Sequence, residues 1–217
     1  GAQDPRIVRS AADPTQILRV TVGQSNAAAN NVEAIDLKVR YQFNLGDIGL
    51  DDWGSMTIQG AATKLDVWEY QKFVTDEMSS PLGKRNRFLG EAPPLPELKA
   101  NLMLTWVNGN HSATFNTRYI DEVEYDGYSW GSDFFDQFPY FTGFDTDIRD
   151  TLRPSTISDV AYNYRGMEIA GTDVDLTFGA RNVFDRLPQR VNDFAGMESI
   201  LYDGRGRLIY GRITIEF

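Results

Sequence analysis

The 217-residue chain contains no cysteine and a single histidine, His111. The first absence removes disulfides, thiol nucleophiles and thiolate metal sites. The second leaves nucleophile–base pairs and zinc sites almost without material. Positive charge is in short supply: 21 Lys and Arg stand against 31 Asp and Glu, for a net charge of −10. A phosphate backbone repels such a chain, which excludes nucleic acid as its main partner. No apolar run approaches the roughly 18 residues of a membrane helix, and residues 1–14 lack the apolar stretch of a signal peptide. DGRGRL at 203–208 does not have phosphate-loop spacing, and the many carboxylates are scattered rather than paired for glycosidase work. The expectation is a non-enzyme without metal or cofactor. A membrane helix is excluded; a membrane-spanning barrel is not.

Rings and alternation are abundant. The 13 Phe, 10 Tyr and 4 Trp make 12% of the residues aromatic, and period-2 patterning recurs where amphipathic helices do not. Between Glu33 and Phe43, Ile35, Leu37, Val39, Tyr41 and Phe43 share one face, and Asp36, Lys38, Arg40 and Gln42 take the other. Leu98, Ala100, Leu102, Leu104 and Trp106 alternate against Glu97, Lys99, Asn101, Met103 and Thr105. Val174, Leu176, Phe178 and Ala180 alternate against Asp173, Asp175, Thr177 and Arg181. In the closing GRLIYGRITIEF, Ile209, Gly211, Ile213, Ile215 and Phe217 oppose Leu208, Tyr210, Arg212, Thr214 and Glu216. Ser55 to Tyr70 alternates but loses phase near Lys64, which predicts a bulge there. With Ser112 to Tyr125, Ser155 to Arg165 and a first strand at Thr15 to Val22, the chain carries about eight strands.

Several of these segments reach the about 9–11 residues that a tilted strand needs to cross a bilayer. Their charges avoid the apolar face, where a lipid-facing charge near the midplane costs about 2–4 kcal/mol. A soluble sandwich alternates as well, so this pattern leaves both readings open. The connections differ in a more telling way. Those at 44–54, 108–111 and 166–171 are short, and those at 71–94, 126–154 and 185–205 are long. In an up-and-down meander alternate connections fall at the same end, so short turns gather at one end and long loops at the other, the asymmetry of outer-membrane barrels. Tyr41, Phe43, Trp106, Tyr162 and Tyr164 precede short turns, while Trp68, Tyr70, Tyr119, Tyr125 and Phe184 lie toward the long loops. These are two candidate aromatic girdles.

Three stretches carry a family resemblance. LTFGARNVFDRLPQ (Leu176 to Gln189) is a strand followed by Asn-aliphatic-Phe-Asp. GRLIYGRITIEF is a terminal strand ending on an aromatic residue. PPLPELKANLMLTWVNGNHSATFNTRYI (Pro93 to Ile120) is a Pro-led strand, tight turn and returning strand. In this order they resemble the C-terminal barrel of TonB-dependent outer-membrane receptors. The resemblance implies an all-β, antiparallel, up-and-down transmembrane β-barrel whose about eight strands here belong to a barrel of about 22. The plug domain, the TonB box and the N-terminal strands are expected to be absent from residues 1–217. The implied function is active import of a scarce nutrient across the outer membrane of a Gram-negative bacterium. The implied partners are outer-membrane lipid, the receptor's own plug domain, TonB through the absent N-terminal region, and a small-molecule or oligosaccharide ligand. A complete eight-stranded outer-membrane anchor or adhesin, and a soluble glycan-binding β-sandwich, remain alternatives.

Two residue sets are candidates for binding. DGYSWGSDFFDQFPYFTGFDTDIRD (126–150) carries Tyr128, Trp130, Phe134, Phe135, Phe138, Tyr140, Phe141 and Phe144 with Asp133 and Asp136. Rings stack on sugar faces and carboxylates accept hydroxyl hydrogen bonds, which mildly favours a carbohydrate over a ferric siderophore. Asp145, Asp147 and Asp150 are a weaker calcium candidate. The second set is the polar side of the strands: Lys38, Arg40, Lys99, Asp173, Asp175, Arg181 and Arg212 would face the lumen and a plug. His111, in the short NGNH turn, is expected to be surface decoration.

Overall fold

A computed structural model describes residues 7–21, 29–86, 93–124, 151–169, 171–190 and 196–216. The strands are β1 (Ile7–Arg9), β2 (Ile17–Val20), β3 (Ala29–Asn44), β4 (Ser55–Gln71), β5 (Leu98–Asn108), β6 (His111–Ile120), β7 (Val123–Glu124), β8 (Thr151–Leu152), β9 (Ser155–Ile169), β10 (Thr172–Arg181) and β11 (Leu208–Glu216). The chain divides into a small unit, 1–30 with 70–79, and a large one, 31–69 with 80–217. In the small unit β1 pairs antiparallel with β2, Ile7 opposite Val20. The expected first strand, Thr15 to Val22, is therefore corrected: of its described residues only Ile17–Val20 form a strand, and its partner is β1 rather than a strand of the main sheet. Its four residues, all exposed, are too few to present the long two-faced pattern of the other strands.

The large unit is built on a seven-stranded meander in the order β3-β4-β5-β6-β9-β10-β11. From β4 onward every neighbouring pair is antiparallel. The fold class is thus all-β and up-and-down, with seven strands in the sheet. The sheet is open: β3 and β11 are its two edges.

Register carries the alternation from strand to strand. Met56, Trp106, Ala113, Tyr162 and Phe178 form one cross-strand row, and Ile58, Leu104, Phe115, Val160, Ala180 and Ile209 the next. The opposite face is tied by side-chain hydrogen bonds, from Asn101 to Asn116 at 2.7 Å and from Thr177 to Asn163 at 2.8 Å, and by the Arg118–Asp159 pair at 3.0 Å. Thr63 donates to Asp36 across β4 and β3, which places Asp36, Lys38 and Arg40 on that polar face too. The apolar face is uncovered. Ile35 is 61% exposed, Ile213 67% and Ile209 75%.

No bulge interrupts the β4–β5 register, which is continuous from Ser55–Val107 to Lys64–Leu98. The phase loss at Lys64 has another cause. Lys64 and Asp66 sit on the otherwise apolar side and pair with each other at 2.7 Å, so they mark where the greasy band ends. A bulge does occur in β9, where Arg165 and Gly166 stand opposite Asp175. Gly166 adopts φ +68° and its amide donates to the Asp175 carboxylate at 2.9 Å. The extra residue switches the parity of β9, so Met167 follows Tyr164 onto the apolar face opposite Val174.

The short connections are tight. Gly109 turns β5 into β6 at φ +55°, and Gly54 lets the β3–β4 connection lie against β5, where a Cβ would meet the Val107 carbonyl. The Trp106 indole donates to the Trp53 carbonyl at 2.6 Å. His111 opens β6, its Nδ1 hydrogen-bonded to the Tyr162 hydroxyl and its ring edge-on to Tyr164 at 4.8 Å. It remains exposed, as expected for decoration, yet it belongs to an aromatic band with Tyr162 and Tyr164 near the short turns.

Candidate functional site

The lumen set falls on one face. Thr63, which contacts Asp36 and stands opposite Lys99, shares its side with Lys38, Arg40 and Lys99. Arg181, Asp175, Asp173 and Arg212 alternate onto the same side through β10 and β11. All but Asp175 are exposed. The ring-rich set does not come into view: Tyr128, Trp130, Phe134, Phe135, Phe138, Tyr140, Phe141, Phe144, Asp133 and Asp136 lie outside the described residues, as do Asp145, Asp147 and Asp150. Among the described residues no three carboxylates or imidazoles gather to hold a metal ion.

The described parts of the three long connections meet at the end of the sheet opposite the short turns. β7 and β8 extend the β6–β9 hairpin past the sheet, pairing Val123 with Leu152 and Glu124 with Thr151. The β4–β5 connection docks on this extension: the Arg85 amide donates to the Glu124 carbonyl at 3.0 Å and the Glu124 amide to the Gly83 carbonyl at 2.6 Å. The Leu95 amide returns to the Lys84 carbonyl at 3.0 Å, so the Pro-led approach to β5 forms the wall behind, with Leu95 and Pro96 buried. The β10–β11 connection completes the layer. Tyr202 packs on Val123 and Leu152, and Glu198 accepts from the buried Arg85 guanidinium. Burial, with the Glu198 charge as a second cause, pushes the Tyr202 hydroxyl up to about 12. Asp203 is held down at about 2, chiefly by the hydrogen bonds that Arg205 donates to it.

The Asn-aliphatic-Phe-Asp stretch is the corner joining the sheet to this layer. Asn182 sits at φ +50°, where Asn is tolerated better than most residues. Its side chain clasps Arg186 from both sides, accepting from the Arg186 amide at 2.9 Å and donating to its carbonyl at 2.7 Å. Asp185, also at positive φ, accepts from the Arg207 amide at 2.7 Å and so ties the start of the connection to its end.

Beside the corner lies an open cleft of about 540 Å³, walled by residues 153–156 and 186–190 with Tyr202. Gln189 fixes its width: the side chain accepts from the Arg153 amide at 3.1 Å and donates to the Thr151 carbonyl at 3.2 Å. The Tyr202 hydroxyl donates to the Arg153 carbonyl at 3.3 Å. Arg153, Arg186 and Arg190 all line the cleft, and among the described residues no Asp or Glu does. Such a space can seat a small solute and offers it guanidinium donors. Sequence reading missed all three arginines, because two separate connections deliver them. The available signal was the basic content of DRLPQR at 185–190 in an acidic chain.

Comparison of the chain with protein-family models, with curated proteins and with solved structures finds no match to any of them.

Proposed function

We propose that the chain is the C-terminal wall of a TonB-dependent outer-membrane receptor barrel, and that the intact protein imports a scarce nutrient. The observation that carries this reading is the uncovered apolar face, on which Ile35, Leu37, Val39, Phe178, Ile209 and Ile213 are exposed across the breadth of the sheet. Water makes such a contiguous face unfavourable, whereas lipid is its natural solvent. The polar face, with Lys38, Arg40, Lys99, Asp173, Asp175, Arg181 and Arg212, then turns to the lumen and a plug domain. Short turns at one end and a folded layer of long connections at the other match the periplasmic and extracellular sides of such barrels.

On this reading the sheet is an arc of a larger barrel whose further strands pair with the edges β3 and β11. The long-connection layer faces outward and meets the nutrient, and energy for release comes through TonB, a plug-mediated contact. The sequence of the gene upstream of Gly1 tests the assignment together with membrane fractionation. A preceding plug-and-barrel pattern and detergent-dependent extraction are expected. Recovery in the aqueous phase without detergent would overturn the reading in favour of a soluble sandwich.

A further inference from the structure

The large unit holds a concentration of positive charge that neither the lipid-facing wall nor the lumen accounts for. Arg153, Arg186 and Arg190 line one cleft, with no carboxylate among its described lining residues, in a chain whose net charge is −10. Three acids of the same connection have other partners: Asp185 accepts from the Arg207 amide, Glu198 from Arg85 and Asp203 from Arg205. Among the described residues none of the three cleft arginines forms an ion pair.

Three like charges in one recess repel each other, and here the frame opposes their separation. Gln189 bridges the two walls through main-chain atoms, Tyr202 fixes the Arg153 carbonyl, and Asn182 grips the backbone of Arg186 on both sides. Guanidinium groups are rigid forks that match the oxygens of a phosphate in pairs, and all three are exposed to a solute entering the cleft.

We infer that this cleft is an oxyanion subsite that binds the phosphate-type group of a soluble ligand. The inference rests on the receptor reading only in making that ligand the imported nutrient. There it replaces the mild preference for a neutral carbohydrate with an acidic or phosphorylated one. Asn182 and Gln189 are positioning residues, acting through the backbone of Arg186 and Arg153.

The test is calorimetric titration of the full-length protein, in uncharged detergent at low salt, with inorganic phosphate and pyrophosphate. Saturable binding of pyrophosphate that weakens as salt rises is expected. Arg153→Gln, Arg186→Gln and Arg190→Gln should each weaken it about tenfold, the scale of one lost charge-assisted hydrogen bond. Arg165→Gln, at the far end of the sheet, should leave affinity unchanged. Gln189→Ala should weaken binding while preserving the salt dependence, since it loosens the frame without removing charge. Circular dichroism checks that each variant is folded.

The proposal falls if the folded wild-type protein binds neither anion, or if the triple glutamine variant keeps wild-type affinity. It also falls if Arg165→Gln weakens binding as much as Arg186→Gln, or if binding is seen only to vesicles bearing lipopolysaccharide, which would make the phosphate source the membrane. Failure here with detergent-dependent extraction intact leaves the receptor reading standing. Pyrophosphate binding by a protein recovered without detergent sinks the receptor reading and leaves the subsite.

Discussion

The strand wall and the layer of long connections use hydrophobic residues in opposite ways. In the wall, isoleucines and aromatics stand exposed on one face while asparagines, threonines and ion pairs link the other. In the layer, Val123 and Leu152 are fully buried and even Arg85 is 1% exposed. The layer obeys the rule of a water-soluble domain and the wall inverts it. The difference lies in what covers the apolar side chains: on the wall nothing does, and where the connections begin, burial returns to the inside.

The sharpest way to break that comparison is to remove half of the buried ion pair. Arg85→Ala leaves the Glu198 charge buried without its guanidinium, at a cost of about 3–5 kcal/mol. Limited proteolysis should then cut within 80–86 and 196–202 while the strands stay protected. Truncation at matched positions comes next. Leu152→Ala should cost about 2–5 kcal/mol through the cavity it leaves. Ile213→Ala, on the uncovered face, should cost under about 1 kcal/mol in lipid vesicles, where side chain and solvent are equally apolar. Equal losses by denaturant titration would erase the distinction between the two regions.

Charge on the wall gives a further test. Ile213→Arg should destabilise the vesicle-bound protein by about 2–4 kcal/mol, and indifference to it would take lipid away from that face. The layer also carries its own pH limit. Tyr202 titrates at about 12 rather than 10, so its burial contributes fully below pH 10 and is lost as pH rises toward 12. Alkaline titration followed by tyrosinate absorbance and proteolysis should open the layer in that window before the wall. The smallest effect belongs to the polar face: Arg118→Ala, breaking a half-exposed pair with Asp159, should cost under about 1 kcal/mol.

Alternation made the wall legible in the sequence. The seven strands of the main sheet, their two faces, and the sorting of short and long connections follow from period-2 patterning and turn positions. By contrast, β7 falls inside the expected strand Ser112 to Tyr125 and β8 inside the expected loop 126–154, because two residues are too few to alternate. Two features escaped for physical reasons. The bulge at Arg165 and Gly166 was invisible because parity there is judged only against the neighbouring strand, and a mispaired charge at Lys64 imitated one. The cleft was invisible because its walls come from two connections that alternation does not describe, joined by the side chains of Gln189 and Tyr202. The strand Thr15 to Val22 was overextended because a few apolar residues in a row lack the length to specify a register.

Asn182 makes a demand on sequence that the wall does not. Along a strand, one apolar residue can replace another, and the face survives. At the corner a substitute must accept φ +50°, take a hydrogen bond from one Arg186 main-chain group and give one to the other. Glycine meets only the first requirement, and aspartate lacks the donor. The strands can therefore change residue by residue without losing their face, whereas position 182 needs one particular side chain to keep the corner closed.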